Sequence, residues 1–419
     1  MTAQAAGPFS RPFGRLAVRS GRRGAGMASH AAALRWAAMD DALRLRDTRT
    51  GELRPLDAGP VVRLYVCGIT PYDATHLGHA FTYVAFDALI RYLEHRGHDV
   101  RYVRNVTDVD DDIFRVSRER QEPAEAIAAR ELDRFTADLK AMQCRPADVE
   151  PYASAHVPSM VASVEALCAN GSAYALPDGR VYFDTAASDR YGRFAKLDRD
   201  EMLRQFAEKG GDPDAPGKRD PLDFLLWQPS AEGEPSWDSP WGAGRPGWHI
   251  ECSVMAIDEL GPTIDIHGGG SDLVYPHHEA EICQAEHVTG QEFSRFWLHT
   301  GMVALDGVKM SKSLGNLVFV SELRERFDPL AVRRYLLEHH YRQDWGYDEA
   351  ELVAAAAGVR RWADVADQGG ALPEAAAAFH EAMRSDLDTP GAVRAVDEAA
   401  AAGAGATVRE LAGILGFPL

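Results

Sequence analysis

The amino-acid sequence predicts an α/β protein built on a doubly wound parallel sheet, with a long region inserted between the two halves of the sheet and a helical region after it. Three observations carry this. A strand, a helix and a second strand follow one another between residues 61 and 109, the unit that makes a parallel strand pair. A strand running into a Gly-rich loop returns after Pro262, beyond a Gly-, Pro- and Asp-rich stretch. From Ser321 to Leu419 the chain is mostly helical in character and Ala-rich.

Taken in order, "VVRLYVCGIT" (Val61–Thr70) is rich in β-branched and aromatic residues and reads as a buried strand. From His76, the apolar residues Leu77, Phe81, Val84, Ala85, Ala88, Leu89, Tyr92 and Leu93 recur at three- and four-residue spacing, one face of a helix. Thr75 is expected as its N-cap and Gly97 as its C′ stop. "DVRYVRNVTDV" is the second strand. Asp108, Asp110 and Asp111 behind it are expected to cap or to pair with Arg. Residues from 112 to about 180 read as helical, and 180–246 as an irregular insertion. "PTIDIHGGGSDL" and "FWLHTGMVAL" are the later strands. Pro276 is expected in the first turn of a helix, which puts His277 and Glu281 on one face at i and i+4. "AAAAGAGA" (Ala399–Ala406) reads as a weakly structured connector. The expected organisation is a tail over 1–42, a first catalytic half over 43–111, the insertion over 112–246, a second half over 247–320 and a helical domain over 321–419.

Composition narrows the class. The chain has 419 residues, and no apolar run is long enough to span a membrane. Its formal charge of -18 makes it a poor general binder of nucleic acid. Five scattered cysteines do not form a secreted disulfide framework and suit a reducing cytoplasm with one or two as metal ligands. Residues 1–39 hold six Arg and no Asp or Glu, as a transit peptide would; without a clean apolar segment we read them as a tail or a misassigned start, with Met27 or Met39 as the true beginning.

Two constellations carry chemistry. Cys67, Cys252 in "GWHIECS", and His277 with Glu281 in "PHHEAE" offer two thiolates, an imidazole and a carboxylate, a plausible tetrahedral zinc set. Taken singly, each cysteine is more often a small core residue, and a His-x-x-x-Glu pair is usually a plain helix face. Their placement around strand ends and helix starts of one crevice changes the balance. Cys144, Cys168 and Cys283 lack that context and read as packing residues. The second constellation faces a nucleotide. "HLGH" (His76–His79) opens a helix directly after a strand, where free N–H groups and partial positive charge attract phosphate. Gly78 removes a side chain where adenine could approach the backbone. "KMSKS" (Lys309–Ser313) adds two ammonium groups on a short loop flanked by Gly307 and Gly315. No Walker loop occurs.

"HLGH" with "KMSKS" resembles the signature pair of class I aminoacyl-tRNA synthetases, whose catalytic domain is Rossmann-like. With "YVCG", "NVTDVDD", "WHIEC", "GGGSDL", "PHHE" and "KMSKSLGN", the resemblance narrows to the cysteinyl-tRNA synthetase superfamily over about residues 43–345. Within it, "CGITPYDATHLGHA", "EKGGDP", "GKRDPLDFLLW" and "LVFVSEL" are most similar to the mycothiol-pathway cysteine ligases. The chain also stops soon after the helical region, where a synthetase usually continues into an anticodon-binding domain.

The resemblance implies an enzyme that makes cysteinyl-AMP from L-cysteine and ATP with Mg²⁺, then passes cysteine to the amine of glucosaminyl-inositol. It implies one Zn²⁺ on Cys67, Cys252 and His277. Glu281 departs from the non-acidic residue expected of the ligases and matches the synthetases, so the fourth ligand stays open. Zinc would hold the substrate thiolate and reject serine, whose hydroxyl is a harder and far weaker acid, by several kcal/mol. It further implies that His76, His79, Lys309 and Lys312 stabilise phosphate charge. Cys67, Gly68, Ile69 and Thr70 would contact the cysteinyl moiety through backbone and the Thr70 side chain. Thr82, Asn105, Val106 and Thr107 would line the same pocket, and Trp248 would wall it. Gly270, Ser271 and Asp272 would hold the ribose, and Val303 would present backbone to adenine. The expected partners are small molecules, with tRNA and membrane not expected and the chain acting as a cytoplasmic monomer. Transfer of cysteine to tRNA is the alternative, and an idle zinc- and nucleotide-binding module is a third reading.

Overall fold

The computed structural model describes residues 42–310 and 315–419, with the backbone alone at Lys309. Strands β1 (Arg44–Arg46) and β2 (Leu53–Pro55) form a short hairpin. The central sheet follows, from β3 (Val61–Ile69), helix α1 (Leu77–His95) and β4 (Asp99–Val106). Three helices, α2 (Asp111–Arg120), α3 (Ala124–Ala141) and α4 (Ala153–Ala169), lead into β5 (Ala173–Ala175) and β6 (Val181–Phe183). Helix α5 (Arg199–Glu208), β7 (Phe224–Pro229) and β8 (Gly244–Pro246) complete the insertion. The chain returns to the sheet through α6 (Trp248–Leu260), β9 (Ile264–Gly270), α7 (Glu279–Thr289) and β10 (Ser294–Thr300).

The central sheet is fully parallel, in the order β10-β9-β3-β4. Strand β3 pairs with β4 on one side and with β9 on the other, so the winding reverses between β3 and β9. Ligands of such sheets bind outside the carboxyl ends of the strands at that reversal. Alternation along β3 explains why the strand must be apolar on both faces. Leu64 and Val66 enter one core with α1, while Tyr65 and Cys67 enter a second core with α4, α6 and α7. Gly68, one residue before the strand's end, sits where no other residue fits: a Cβ there would lie 1.6 Å from the Asn105 carbonyl oxygen.

Two expectations on local structure are corrected. His76, not Thr75, caps α1: its backbone is extended and its Nδ1 accepts the Gly78 N–H at 3.1 Å. Thr75 is buried instead, with its carbonyl taken by Val320. Pro276 does not open a regular helix. Residues 274–278 form a single wide turn, and α7 begins at Glu279. The insertion also carries an antiparallel sheet, β5-β6-β7-β8, that its Gly, Pro and Asp content concealed. Gly97 does adopt the left-handed conformation after α1. Asp110 caps α2 through Asp112 N, Asp108 receives Ser154 N, and Asp111 pairs with Arg245.

After β10, β11 (Val303–Leu305), β12 (Val308–Lys309) and β13 (Trp345–Gly346) make a small sheet. Helices α8 (Val320–Arg326), α9 (Pro329–Leu337), α10 (Glu349–Ala366), α11 (Pro373–Arg384), α12 (Thr389–Ala401) and α13 (Gly405–Ile414) follow. The alanines expected to form a connector belong partly to α12, as Ala's helix propensity favours. These helices share one continuous core with α1 and one face of the central sheet. Residues 1–41, where the tail was expected, and 311–314 lie outside the described residues.

Helix α1 is buried on nearly every side because it lies between sheet and C-terminal helices. Its Asp87 is almost fully buried and joins three parts of the chain. It pairs with Arg333 of α9, accepts from Arg91 Nε at 2.8 Å and receives the backbone N–H of Arg145 at 2.6 Å. Arg333 is completely buried and also donates to the carbonyls of Leu415 and Met142. Asp87→Ala leaves the guanidinium buried without its counter-charge, and we expect a loss of about 3–5 kcal/mol. Urea unfolding followed by circular dichroism measures it.

Candidate active site

Cys67 lies at the carboxyl end of β3, in the crevice where the sheet's winding reverses. Its carbonyl accepts the Tyr83 hydroxyl of α1 at 3.0 Å. The Gly68 N–H donates to Asn105 Oδ1 at 2.7 Å, and Asn105 Nδ2 donates to Thr107 Oγ1 at 3.0 Å. The Thr107 N–H closes the link by donating to the Ile69 carbonyl at 3.0 Å. Asn105, Val106 and Thr107 are buried, so they set the backbone of Cys67, Gly68, Ile69 and Thr70 by packing and hydrogen bonds. Thr82 is also inward: its hydroxyl meets Thr300 Oγ1 at 2.7 Å and ties α1 to the end of β10.

Four of the expected metal residues converge. The ligand atoms of Cys67, Cys252, His277 and Glu281 lie within 4.8 Å of one another, all buried. Helix α6 brings Cys252, and the wide turn before α7 swings His277 to 3.8 Å from Glu281. That turn also swings His278 to 3.6 Å from the same carboxylate, and β9 places His267 at 3.4 Å. A second group, Cys67, His267, His278 and Glu281, meets the same 4.8 Å criterion. His267 and His278 were not anticipated. The signals were a histidine heading "HGGG" and the doubled histidine of "PHH".

The chemistry of this cluster suits a cation. Glu281 is fully buried, and among the described residues neither of its oxygens has a hydrogen-bond partner. Burial pushes its carboxyl well above the ordinary range. Burial, then Cys252 and Glu281, push the Cys67 thiol up. The imidazoles of His249, His267 and His299 are drawn down to about 3, chiefly by burial. Those of His277 and His278 are driven well below their ordinary value by burial and by neighbouring imidazoles, His249 and His267 for His277, and His267 and His299 foremost for His278. Neutral imidazoles, thiols and an unpartnered carboxylate make a donor set for a borderline-soft divalent ion. The outer groups orient it: His277 Nδ1 lies 3.0 Å from His249 Nδ1. Trp248 is half-buried and stacks on His277 with ring centroids 4.3 Å apart.

The nucleotide side gathers around α1. Because His76 Nδ1 accepts from Gly78, the proton of its neutral ring sits on Nε2. His79 stacks on it with ring centroids 3.8 Å apart. Gly270, Ser271 and Asp272 form the turn that leaves β9, partly exposed beside the cluster. Lys209, in the "EKGGDP" stretch, was not expected in any role. It donates to the Asp272 carbonyl at 2.6 Å and to the Tyr275 carbonyl, so the insertion braces this turn. Val303 is buried in β11, with its carbonyl taken by Met310 N at 3.2 Å. The side chain of Lys309 and all of Lys312 lie outside the described residues.

Residues 53–357 match the family model of tRNA synthetases class I (C) catalytic domain. The chain belongs to that family. It is 50% identical over 363 residues to the L-cysteine:1D-myo-inositol 2-amino-2-deoxy-alpha-D-glucopyranoside ligase of Nocardia farcinica, covering 85% of this chain and 88% of the relative. The ligase of the same name from Nocardiopsis dassonvillei is 48% identical over 363 residues, at the same coverage. Among solved structures, Mycobacterium tuberculosis methionyl-tRNA synthetase in complex with methionyl-adenylate superposes with a TM-score of 0.56 at 19% identity, covering 81% of this chain and 82% of that one. A leucyl synthetase complex of Agrobacterium radiobacter gives 0.58 at 12%, covering 86% and 83%. These two show the shared class I fold. The protein is a ligase with a class I catalytic domain.

Cys67 belongs to both ligand groups and Cys252 to one. Cys67→Ser is therefore expected to abolish zinc retention through dialysis, and Cys252→Ser to weaken it. Cys144, whose thiol sits against Arg333, is in neither group, and Cys144→Ser should leave zinc unchanged. Metal analysis of the three dialysed variants checks this.

Proposed function

We propose that this chain activates L-cysteine with ATP and joins it to the amine of glucosaminyl-inositol, with release of pyrophosphate and AMP. The observation that carries this is the agreement of several ligases of that name, at 46–50% identity over about 85% of the chain. The buried thiol, imidazole and carboxylate cluster at the sheet's reversal agrees with it, since a soft metal there suits a thiol substrate. The reaction needs no membrane. No helix of the described residues is long and apolar enough to cross one, and the five cysteines are free, as a reducing cytoplasm would leave them.

In the first step, a carboxylate oxygen of cysteine attacks the α-phosphorus of ATP and the bond to pyrophosphate breaks. The N-terminus of α1 and the Nε2–H of His76 favour the developing phosphate charge, with His79 beside it. Lys309 and Lys312 neutralise the leaving pyrophosphate, and Mg²⁺ accompanies ATP. Gly270, Ser271 and Asp272 hold the ribose, while backbone at Val303 meets adenine. In the second step, the sugar amine attacks the acyl carbon, the amide C–N bond forms, AMP leaves and the amine gives up its proton.

Cys67, Cys252 and His277 would hold Zn²⁺, with Glu281 as the open fourth ligand, and the ion would supply a soft Lewis acid for the substrate thiolate. Trp248, stacked on His277, keeps bulk water from that position. The Asn105–Gly68 link keeps Cys67 aimed at it.

Lys309→Ala and Lys312→Ala should each lower cysteine-dependent pyrophosphate exchange by about 100-fold or more, with little change in KM for cysteine. An unchanged rate would make the loop a plain turn. Glu281 favours the alternative acceptor, tRNA, because it matches the synthetase pattern. The net charge of -18 opposes it, since a polyphosphate acceptor needs a basic track. With glucosaminyl-inositol and tRNA offered side by side, we expect the sugar amide and negligible charging. Cysteinyl-tRNA without the amide would overturn the reading.

A further inference from the structure

We infer that Cys67, His267, His278 and Glu281 form a second metal position, lying beneath the expected one and sharing an edge with it. It is a site for a divalent transition cation of zinc's size. The assignment does not depend on which amine accepts cysteine.

The edges of the group decide this. Cys67 Sγ lies 3.3 Å from His278 Nε2 and 3.6 Å from His267 Nε2. Glu281 Oε2 lies 3.6 Å from His278 Nε2 and 3.4 Å from His267 Nε2. Zinc binds nitrogen and oxygen at about 2.0–2.1 Å and sulfur at about 2.3 Å, so a regular tetrahedron has N–O edges near 3.4 Å and S–N edges of about 3.6 Å. Each of the four measured edges is within about 0.3 Å of those values. The Cys67 thiol can hydrogen-bond either imidazole at these distances, but no hydrogen bond holds Glu281 in the group. Among the described residues its oxygens have no hydrogen-bond partner, and Nδ1 of His267 has none either.

The surroundings prepare both imidazoles to ligate through Nε2. His278 Nδ1 lies 2.7 Å from His299 Nε2, and His299 Nδ1 lies 2.8 Å from Thr48 Oγ1. With His278 Nδ1–H donating to His299, and His299 Nδ1–H donating to Thr48, the lone pair of His278 Nε2 faces Cys67 and Glu281. Such an outer partner commonly fixes the tautomer of a metal-bound histidine. His267 has its ring plane held against Trp297, centroids 4.4 Å apart. Passing between the two positions, a cation keeps Cys67 and Glu281 and exchanges Cys252 and His277 for His267 and His278. Because two ligands are common, the positions are alternatives for one ion. His267 and His278 pack against Trp297, whereas His277 stacks on the half-buried Trp248, so an ion between His267 and His278 is withdrawn from the Trp248 side where a substrate thiol would enter.

Cobalt(II) titration of the full-length chain tests this. With Cys252→Ala and His277→Ala together, the outer set is gone. We expect one cobalt per chain, tetrahedral absorption bands, and a thiolate-to-cobalt band about half the intensity of the unsubstituted chain, since one thiolate replaces two. Adding His267→Ala and His278→Ala should abolish cobalt uptake. A Cys252→Ala/His277→Ala chain that is folded by circular dichroism but takes up no cobalt would overturn the site. So would uptake unaffected by loss of the two histidines. As a milder second measurement, zinc-edge X-ray absorption of Cys252→Ser should report one sulfur and two imidazoles. A single imidazole, or no zinc, would count against the proposal.

Discussion

The carboxylate of Glu281 is the constraint around which the site is organised. It is fully buried, its oxygens have no hydrogen-bond donor, and its nearest polar neighbours are three imidazoles that burial keeps neutral. An isolated buried carboxylate is among the costlier groups a fold can carry. A cation would convert this liability into a binding site, and several elements at the carboxyl end of the sheet supply donors to it. Strand β3 brings Cys67, β9 brings His267, α6 brings Cys252, and the turn before α7 brings two histidines.

Holding that cluster in register is a backbone problem as much as a side-chain one. Gly68 lets the end of β3 pass against the Asn105 carbonyl, and the Asn105 side chain then clamps the Gly68 N–H. Tyr83 clamps the Cys67 carbonyl from the side of α1. The same helix begins at His76 and is anchored at Asp87 to the C-terminal helices. One element thus carries His76 at its N-terminus, secures the Cys67 backbone midway and joins the shared core further on. Pre-organisation of this kind is what phosphoryl chemistry asks of a protein, since positioning and charge stabilisation supply most of the effect.

The insertion contributes more than separation between two halves of a sheet. Lys209 crosses to the carbonyls of Asp272 and Tyr275, bracing the turn between β9 and α7 on which the proposed ribose contacts and the two histidines sit. Glu279, next in the chain, receives Gly192 N at 2.9 Å and Ala195 N at 2.8 Å from another segment of the insertion. The geometry of the metal-facing turn is therefore set from a part of the chain distant in sequence.

The sequence by itself determined the α/β class, the βαβ unit from Val61 to Val106 and the convergence of Cys67, Cys252, His277 and Glu281. These follow from local patterns: period-2 and period-3.6 apolar spacing, and chemistry-bearing residues at strand ends and helix starts. It also carried the glycine stop at Gly97, because a left-handed C′ residue is a local demand. Other features were decided only in three dimensions. The cap of α1 went to His76, whose backbone bridges to Phe319 and whose ring reaches the Gly78 N–H. The short strands of the insertion are stabilised by pairing across it, which no local period records. His267 and His278 became part of the cluster because parallel pairing sets β9 beside β3, and because a wide turn rotates two successive histidines toward one carboxylate. Neither the strand register nor that turn is written in the spacing of the histidines, so the full donor set is a property of the tertiary fold.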